Sequence, residues 1–92
     1  MKMVRRYLVL LNTRNSAEFD RFYDYFRYAT VNYAMVDSEA CLIDSYSDPN
    51  SIANDFNNFA RGSTYFICEI TGEITWRNAQ CGYNALNNFL NR

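Results

Sequence analysis

The sequence predicts an α+β fold, one domain over residues 1–92 with the ferredoxin-like element order βαββαβ. The apolar run at residues 7–11 is far too short for a membrane span, and its length is that of a strand buried on both faces. Two segments with helical apolar spacing follow, each between strand-like segments. Right-handed crossovers would place both helices on one face of an antiparallel sheet, with the first and third strands at its centre.

The first strand covers residues 3–12, and a helix begins after Asn15. The Asn15 side chain can accept from a free amide of the first turn while Glu18 reaches back, as in a capping box. The helix continues to about residue 28 with one apolar stripe. The stripe consists of Phe19, Phe22, Tyr23 and Phe26. We therefore expect an aromatic helix face packed on the sheet.

A β-hairpin is predicted next. Residues 30–37 and 41–46 are rich in β-branched and aromatic side chains, and a short polar turn joins them. Asp44 lies within the second of these strands. Because an acid in a strand usually faces solvent, we expect Asp44 to be exposed.

The second helix has clear end signals. Asp48 can serve as its N-cap, and Pro49 stands at the first helical position, where a missing amide costs nothing. Gly62 has the position of a left-handed C-cap. A fourth strand is predicted at residues 63–70, and residues 65–68 are apolar on both faces.

Residues 71–92 predict two additions to this core. Thr71 and Gly72 have the spacing of a two-residue hairpin turn into a short extra strand at residues 73–76. Asn78 can then cap a C-terminal helix. Glycine and asparagine lower the helix propensity of this segment, so the helix needs docking onto the rest of the domain.

Composition limits the classes of function. The formal net charge of −1 gives no general attraction to nucleic acid or to an anionic membrane. Cys41, Cys68 and Cys81 are widely spaced and no histidine is present, so a zinc site would need an uncommon ligand set. We expect reduced cysteines in a cytoplasmic protein without a signal peptide, and one disulfide with a free thiol is the alternative.

No pattern of catalytic or cofactor-binding residues is present, and we predict a protein that is not an enzyme. Histidine, the commonest general base near neutral pH, is absent, and the three glycines are isolated rather than grouped in a phosphate loop. Cys81, which follows Arg77 closely, is the cysteine most open to activation. Four acids surround the hairpin, and we interpret them as solvated groups or a helix cap rather than a metal site. They are Asp37, Glu39, Asp44 and Asp48.

The element order, including the extra strand, resembles the small ferredoxin-like subunit of the CRISPR adaptation complex and its toxin relatives. That resemblance implies a metal-dependent nuclease where the first strand ends in Asp, whereas this chain has Asn12 at that position. Acylphosphatases are similar in topology as well, but their Gly-rich motif with an Arg after the first strand is missing here. The resemblance therefore implies a ferredoxin-like fold. It also implies that this chain would be a nuclease-like protein that lacks the usual catalytic Asp.

Nucleic-acid binding is a second alternative. Five arginines give the first third of the chain an excess of positive charge, and tyrosines on an open sheet face could stack on bases. The arginines are Arg5, Arg6, Arg14, Arg21 and Arg27, and the tyrosines are Tyr7, Tyr33, Tyr46 and Tyr65. The arginines are interspersed with acids, however, and the aromatic motif of sheet-type RNA-binding domains is missing.

We favour a protein-binding module. Two helices cover only one face of a sheet whose first and fourth strands are apolar on both faces, so the other face needs the C-terminal helix, a second copy or another partner. A homodimer formed by this face or by the edge of the second strand is the simplest answer. We expect an accessory protein or inhibitor of a larger complex, and the abundant asparagine suggests a virus or mobile element as its source. The predicted partner-binding residues are Tyr7, Tyr33, Tyr65, Trp76 and Tyr83.

Overall fold

The computed structural model describes residues 3–91, so residues 1, 2 and 92 of the predicted domain lie outside the described part. The chain forms a mixed α+β domain with one four-stranded sheet and three helices. The elements are β1 (Arg5–Asn12), α1 (Ser16–Ala29), β2 (Asn32–Asp37), β3 (Ala40–Ser45), α2 (Pro49–Phe59), β4 (Thr64–Glu69) and α3 (Tyr83–Leu90). The strand order is β2-β3-β1-β4 with antiparallel neighbours, which confirms the central positions of β1 and β3.

The predicted starts of the first two helices are confirmed by their caps, although the Glu18 carboxylate, expected to reach back to the cap, instead accepts from the Gly62 amide and the Ser63 hydroxyl. The Asn15 side chain accepts a hydrogen bond of 2.8 Å from the Glu18 amide at the start of α1. Asp48 accepts a bond of the same length from the Ser51 amide at the start of α2, and this bond lowers the pKa of Asp48. Each cap satisfies an amide that has no partner within its helix.

The predicted end of the second helix is wrong. Helix α2 stops at Phe59, and its C-cap is Ala60, whose amide donates to the carbonyl of Phe56 at 2.8 Å. Gly62 does not adopt a left-handed conformation. Its amide instead faces the Glu18 carboxylate of α1, so Gly62 permits a close approach between chain segments.

Helices α1 and α2 cover one face of the sheet, which we call the front face. The side chains of Tyr7, Val9 and Leu11 point from β1 into this layer and are buried. Phe56 of α2 is at the centre of the aromatic packing, with its ring centroid 4.9 Å from that of Phe22 and 5.2 Å from that of Tyr65. The aromatic content of the chain is thus concentrated in the layer between the helices and the sheet.

The opposite, rear face is covered over β2, β3 and the first half of β1, where Leu8 packs on the rear cluster. Leu86 and Phe89 of α3 are buried against Ala34 and Leu42, with the segment at residues 70–82 packed beside them. The same segment also covers part of the outer edge of β2. The amides of Gln80 and Cys81 donate to the carbonyls of Val36 and Met35 at 3.1 and 2.9 Å. The edge of the second strand, which we expected to be exposed, is therefore covered in its C-terminal half.

The predicted extra strand at residues 73–76 does not form, and the C-terminal helix begins at Tyr83 rather than after Asn78. Beyond Ile70 the chain leaves the sheet and crosses the rear face toward β2. Asn78 adopts a positive φ of 57°, which asparagine tolerates better than most residues but which no regular helix allows. The local alternation of residues 73–76 reflects packing of Ile74 and Trp76 on the rear cluster rather than strand pairing.

Asp44 is buried, contrary to the expectation that it faces solvent. It is 4% exposed and lies directly opposite Arg6 in the β1–β3 register. The two side chains form a two-pronged ion pair, with Nε to Oδ1 at 2.8 Å and Nη2 to Oδ2 at 3.1 Å. Arg6 also donates to the carbonyl of Phe89 at 3.2 Å and lies 4.6 Å from the centre of its ring. The pair therefore joins β1, β3 and the end of α3.

Replacing Asp44 by alanine is expected to lower the free energy of unfolding by about 1.5–3 kcal/mol, because the half-buried Arg6 guanidinium would lose both of its charge-assisted hydrogen bonds to the carboxylate. Urea unfolding followed by far-UV circular dichroism measures this loss. Arg5→Ala is the matched control, since the neighbouring Arg5 pairs with Glu69 at the surface and should contribute much less. Equal losses in the two variants would contradict the structural role of the buried pair.

Candidate protein-binding surface

Two of the five predicted partner-binding residues lie together on the surface. The ring centroids of Trp76 and Tyr83 are 5.9 Å apart, with 35° between the ring planes. Tyr83 is 68% exposed, whereas Trp76 is half-buried against the rear cluster. Both line an open depression of about 590 Å³ that also contacts Ile74 and Arg77. This arrangement offers aromatic and cationic side chains to a partner at one place.

The backbone around this depression has two unusual conformations. Asn78 has a φ of 57°, and Gly82, the N-cap of α3, has a φ of 89°. A side chain at position 82 would strain the backbone, although the space beside it is open. The positive φ values of Asn78 and Gly82 change the direction of the chain between Trp76 and Tyr83, whose rings then lie side by side.

Tyr7 lies in the core, so the prediction that it contacts a partner is wrong. Its side chain is fully buried beneath the helices, and its hydroxyl donates to the carbonyl of Ser47 at 2.7 Å. Burial raises the pKa of this hydroxyl. Tyr7 belongs to the front layer because the odd-numbered residues of β1 face helices α1 and α2.

Tyr33 and Tyr65 also point to the front face and not to an open sheet. Both are half-buried at the margins of the core. The Tyr33 ring lies 6.0 Å from the ring of Tyr23 on α1. The Tyr65 hydroxyl donates to the side-chain oxygen of Asn57 on α2 at 2.7 Å. These contacts connect the sheet to the helices, so Tyr33 and Tyr65 do not lie on an open sheet face, whereas Tyr46 from the same predicted stacking set is exposed.

The exposed part of the rear face lies on β1 and β4, outside the area covered by α3. Phe66 is 61% exposed, Leu10 is 43% exposed, and the two are direct neighbours in the β1–β4 register. Cys68 is exposed two residues further along β4 on the same face. We call Leu10, Phe66 and Cys68 the rear strip. Sequence reasoning predicted an apolar second face but did not single out these residues.

Each of the five arginines that favoured nucleic-acid binding has a partner within the chain. Two form ion pairs with carboxylates, two donate to backbone carbonyls and one lies over tyrosine rings. In chain order the partners are Glu69 for Arg5, Asp44 for Arg6, the Gly62 carbonyl for Arg14, the Phe59 carbonyl for Arg21, and the Tyr23 and Tyr28 rings for Arg27. These arginines therefore contribute to contacts within the domain.

The acids around the hairpin are separated by the fold. Asp44 is paired with Arg6, Asp48 caps α2, and Asp37 accepts from the Ser38 amide within the turn. Within residues 3–91, no three cysteine, aspartate or glutamate side chains come close enough to hold a metal ion. No helix in that same part of the chain has the length and apolar character to cross a membrane.

The three cysteines are free thiols in different environments. Cys41 is fully buried in the front core, and Cys81 is half-buried. Desolvation raises the pKa of the Cys41 thiol to about 12. The neutral thiol thus stabilises the folded state below the ordinary thiol pKa of 9.0, and this contribution is lost as the pH rises from there to about 12.

Cys41 is expected to resist alkylation in the folded protein because the reaction needs an accessible thiolate. With dilute protein and iodoacetamide at about pH 8, mass spectrometry of the digested chain should find Cys68 modified and Cys41 intact. The same reagent should modify all three cysteines in guanidinium chloride. Modification of Cys41 in the native protein as fast as Cys68 would contradict its buried position.

Comparison with known proteins does not assign this chain to a family. No protein-family model matches the chain, and neither the curated proteins nor the solved structures give a match. The function must therefore be argued from the two exposed features, the Trp76–Tyr83 depression and the rear strip.

Proposed function

We propose that this protein is a small, non-enzymatic protein-binding module that forms a homodimer and acts as an accessory protein or inhibitor of a larger complex. The observation that carries the proposal is the rear strip, where Leu10 and Phe66 remain open to solvent after the chain has used its third helix on β2 and β3. Adjacent apolar side chains left exposed beside a sheet edge are typical of an interaction surface.

The fold assignment is part of the proposal. We assign the domain to the ferredoxin-like arrangement because β1–α1–β2 and β3–α2–β4 are two crossover units whose strands interleave in the order β2-β3-β1-β4. Both crossover helices contact the same core cluster, which supports the assignment. In this arrangement the rear face is the surface that other chains can reach.

Two roles are divided between the exposed features. The rear strip consists of apolar and weakly polar groups beside a strand, which suits a second copy of the chain. The depression combines Trp76 and Tyr83 with Arg77, residue types that dominate the energy of heterologous interfaces. We therefore assign dimer formation to the rear strip and docking on a larger partner to the depression. A reducing compartment such as the cytoplasm suits the three free thiols.

The dimer is tested by size-exclusion chromatography with light scattering up to high micromolar chain concentrations. We expect a reversible dimer, weakened at least about tenfold by Phe66→Ser because each copy loses apolar burial of about 1.5–3 kcal/mol. Tyr28→Ser is the matched control, since Tyr28 is 75% exposed on α1, on the other side of the sheet. A strict monomer at every concentration would refute the homodimer.

The docking role is tested by placing a photo-crosslinking phenylalanine analogue at position 83 in the protein expressed in its native host. Irradiation should give a discrete crosslinked species that contains a second, different chain, because Tyr83 lies at the exposed rim of the depression. The same analogue at position 28 serves as the control. Identical crosslinking from positions 83 and 28, or none from position 83, would argue against this role.

A further inference from the structure

We propose that β4 pairs antiparallel with β4 of a second copy, with Ile67 on the twofold axis, so that the two sheets join into one. The inference rests on the proposed homodimer and names the contact that forms it. Three properties of β4 carry it: the direction of its backbone groups, the lack of protection on its edge, and the self-complementary order of its side chains.

The hydrogen-bond pattern shows which backbone groups of β4 face outward. The amide of Ile70 donates to the carbonyl of Arg6 at 2.8 Å, which makes these two residues a hydrogen-bonded pair of the β1–β4 ladder. Bonded and non-bonded pairs alternate along an antiparallel ladder. Tyr65, Ile67 and Glu69 therefore direct their N–H and C=O groups away from β1, toward the edge of the sheet.

This edge lacks the usual devices against strand pairing. The six residues of β4 include no proline and no lysine, and their register with β1 runs without a bulge. The other edge of the sheet differs, because residues 80 and 81 bond to the backbone of β2. Among residues 3–91, no backbone hydrogen bond of this kind reaches the outer edge of β4, whereas part of the β2 edge is covered.

The side chains of β4 suit a second copy of the same strand. Glu69 is its one charged residue, and Arg5 neutralises it through a contact of 2.7 Å. With Ile67 on the twofold axis, Glu69 lies opposite Tyr65 of the second copy and not opposite another Glu69. Like charges therefore do not meet across the interface.

The same register places Phe66 beside Cys68 of the second copy on the rear face. This is a non-hydrogen-bonded pair, in which the two Cα atoms are about 4.5 Å apart. The exposed edge of the Phe66 ring would be covered, and a sulfur atom beside an aromatic ring is a favourable contact. A strand-pair interface is small, which places the dimer among the weaker specific complexes.

The register can be tested by a disulfide. Phe66→Cys in a Cys81→Ser background would place each new thiol opposite Cys68 of the other chain, within the Cα separation of about 4.4–6.8 Å that disulfides require. Under mild oxidation at high micromolar concentration, we expect a covalent dimer on a non-reducing gel. Peptide mapping should show a bond between position 66 of one chain and Cys68 of the other.

Three control variants in the same background isolate this bond. Cys81→Ser alone, Phe66→Cys with Cys68→Ser, and Thr64→Cys each leave the available thiols on diagonal positions about 7–8 Å apart. None of them should give more than a trace of covalent dimer. Position 64 is exposed on the same strand and face, so its thiol matches the test position in access.

A backbone test uses Glu69, whose amide faces outward. Glu69→Pro removes that amide without removing a bond of the β1–β4 ladder, while Glu69→Ala removes only the side chain. We expect the proline variant to weaken the dimer at least about tenfold relative to the alanine variant, because two symmetry-related hydrogen bonds are lost. Circular dichroism should show that both variants remain folded.

The outcomes separate this inference from the proposed function. A dimer by light scattering in which Thr64→Cys crosslinks as well as Phe66→Cys, or in which only intrachain bonds form, would overturn the β4 register and leave the homodimer standing. A chain that is monomeric at all concentrations would overturn both. Selective crosslinking at position 66, together with the loss in Glu69→Pro, supports the pairing.

Discussion

The ion pair between Arg6 and Asp44 determines how the rear of this molecule is built. The β1–β3 register places the two side chains opposite each other, and Arg6 then binds the carbonyl and ring of Phe89 at the end of α3. Helix α3 has eight residues and a glycine N-cap without a side-chain bond, so it has little stability of its own. A buried pair of charges is weak evidence for overall stability, because desolvation offsets most of the attraction. Its effect here is positional: it fixes where α3 meets the sheet.

That position decides what stays exposed. The front face uses both crossover helices, and α3 with the segment at residues 70–82 covers the rear face over β2, β3 and the first half of β1. The segment also bonds to the outer edge of β2. Among residues 3–91, β4 and the adjoining part of β1 therefore keep an open face, and β4 also forms one edge of the sheet. The candidate interaction surface is thus the part of the sheet that the three helices and residues 70–82 leave uncovered.

Much of this fold could be predicted from sequence, because its signals are local. The aromatic spacing of α1, the caps Asn15 and Asp48, and the apolar runs of β1 and β4 each identify an element with little help from tertiary structure. The errors fall where tertiary contacts outweigh local pattern. Residues 73–76 alternate like a strand, yet Ile74 and Trp76 pack on the rear cluster without a strand partner. An aspartate within a strand is usually exposed to solvent. Asp44 is buried because the β1–β3 register places it opposite Arg6, with which it pairs.

The candidate site was predictable to a smaller extent, for a related reason. The apolar residues on both faces of β1 indicate that both faces of the sheet are packed against other groups. They do not indicate which face of the strand contacts helices α1 and α2. Tyr7 and Tyr65 lie on the helix side, and Phe66 lies on the open side, although all three are aromatic strand residues. Trp76 and Tyr83 are 7 positions apart in sequence, and they meet because Asn78 and Gly82 adopt positive φ values that a pattern of residue types does not encode. The direction of a strand's free edge depends in turn on strand order, which is a property of the whole sheet. For that reason the β4 edge becomes a candidate interaction surface only when it is known what covers the β2 edge and the front face.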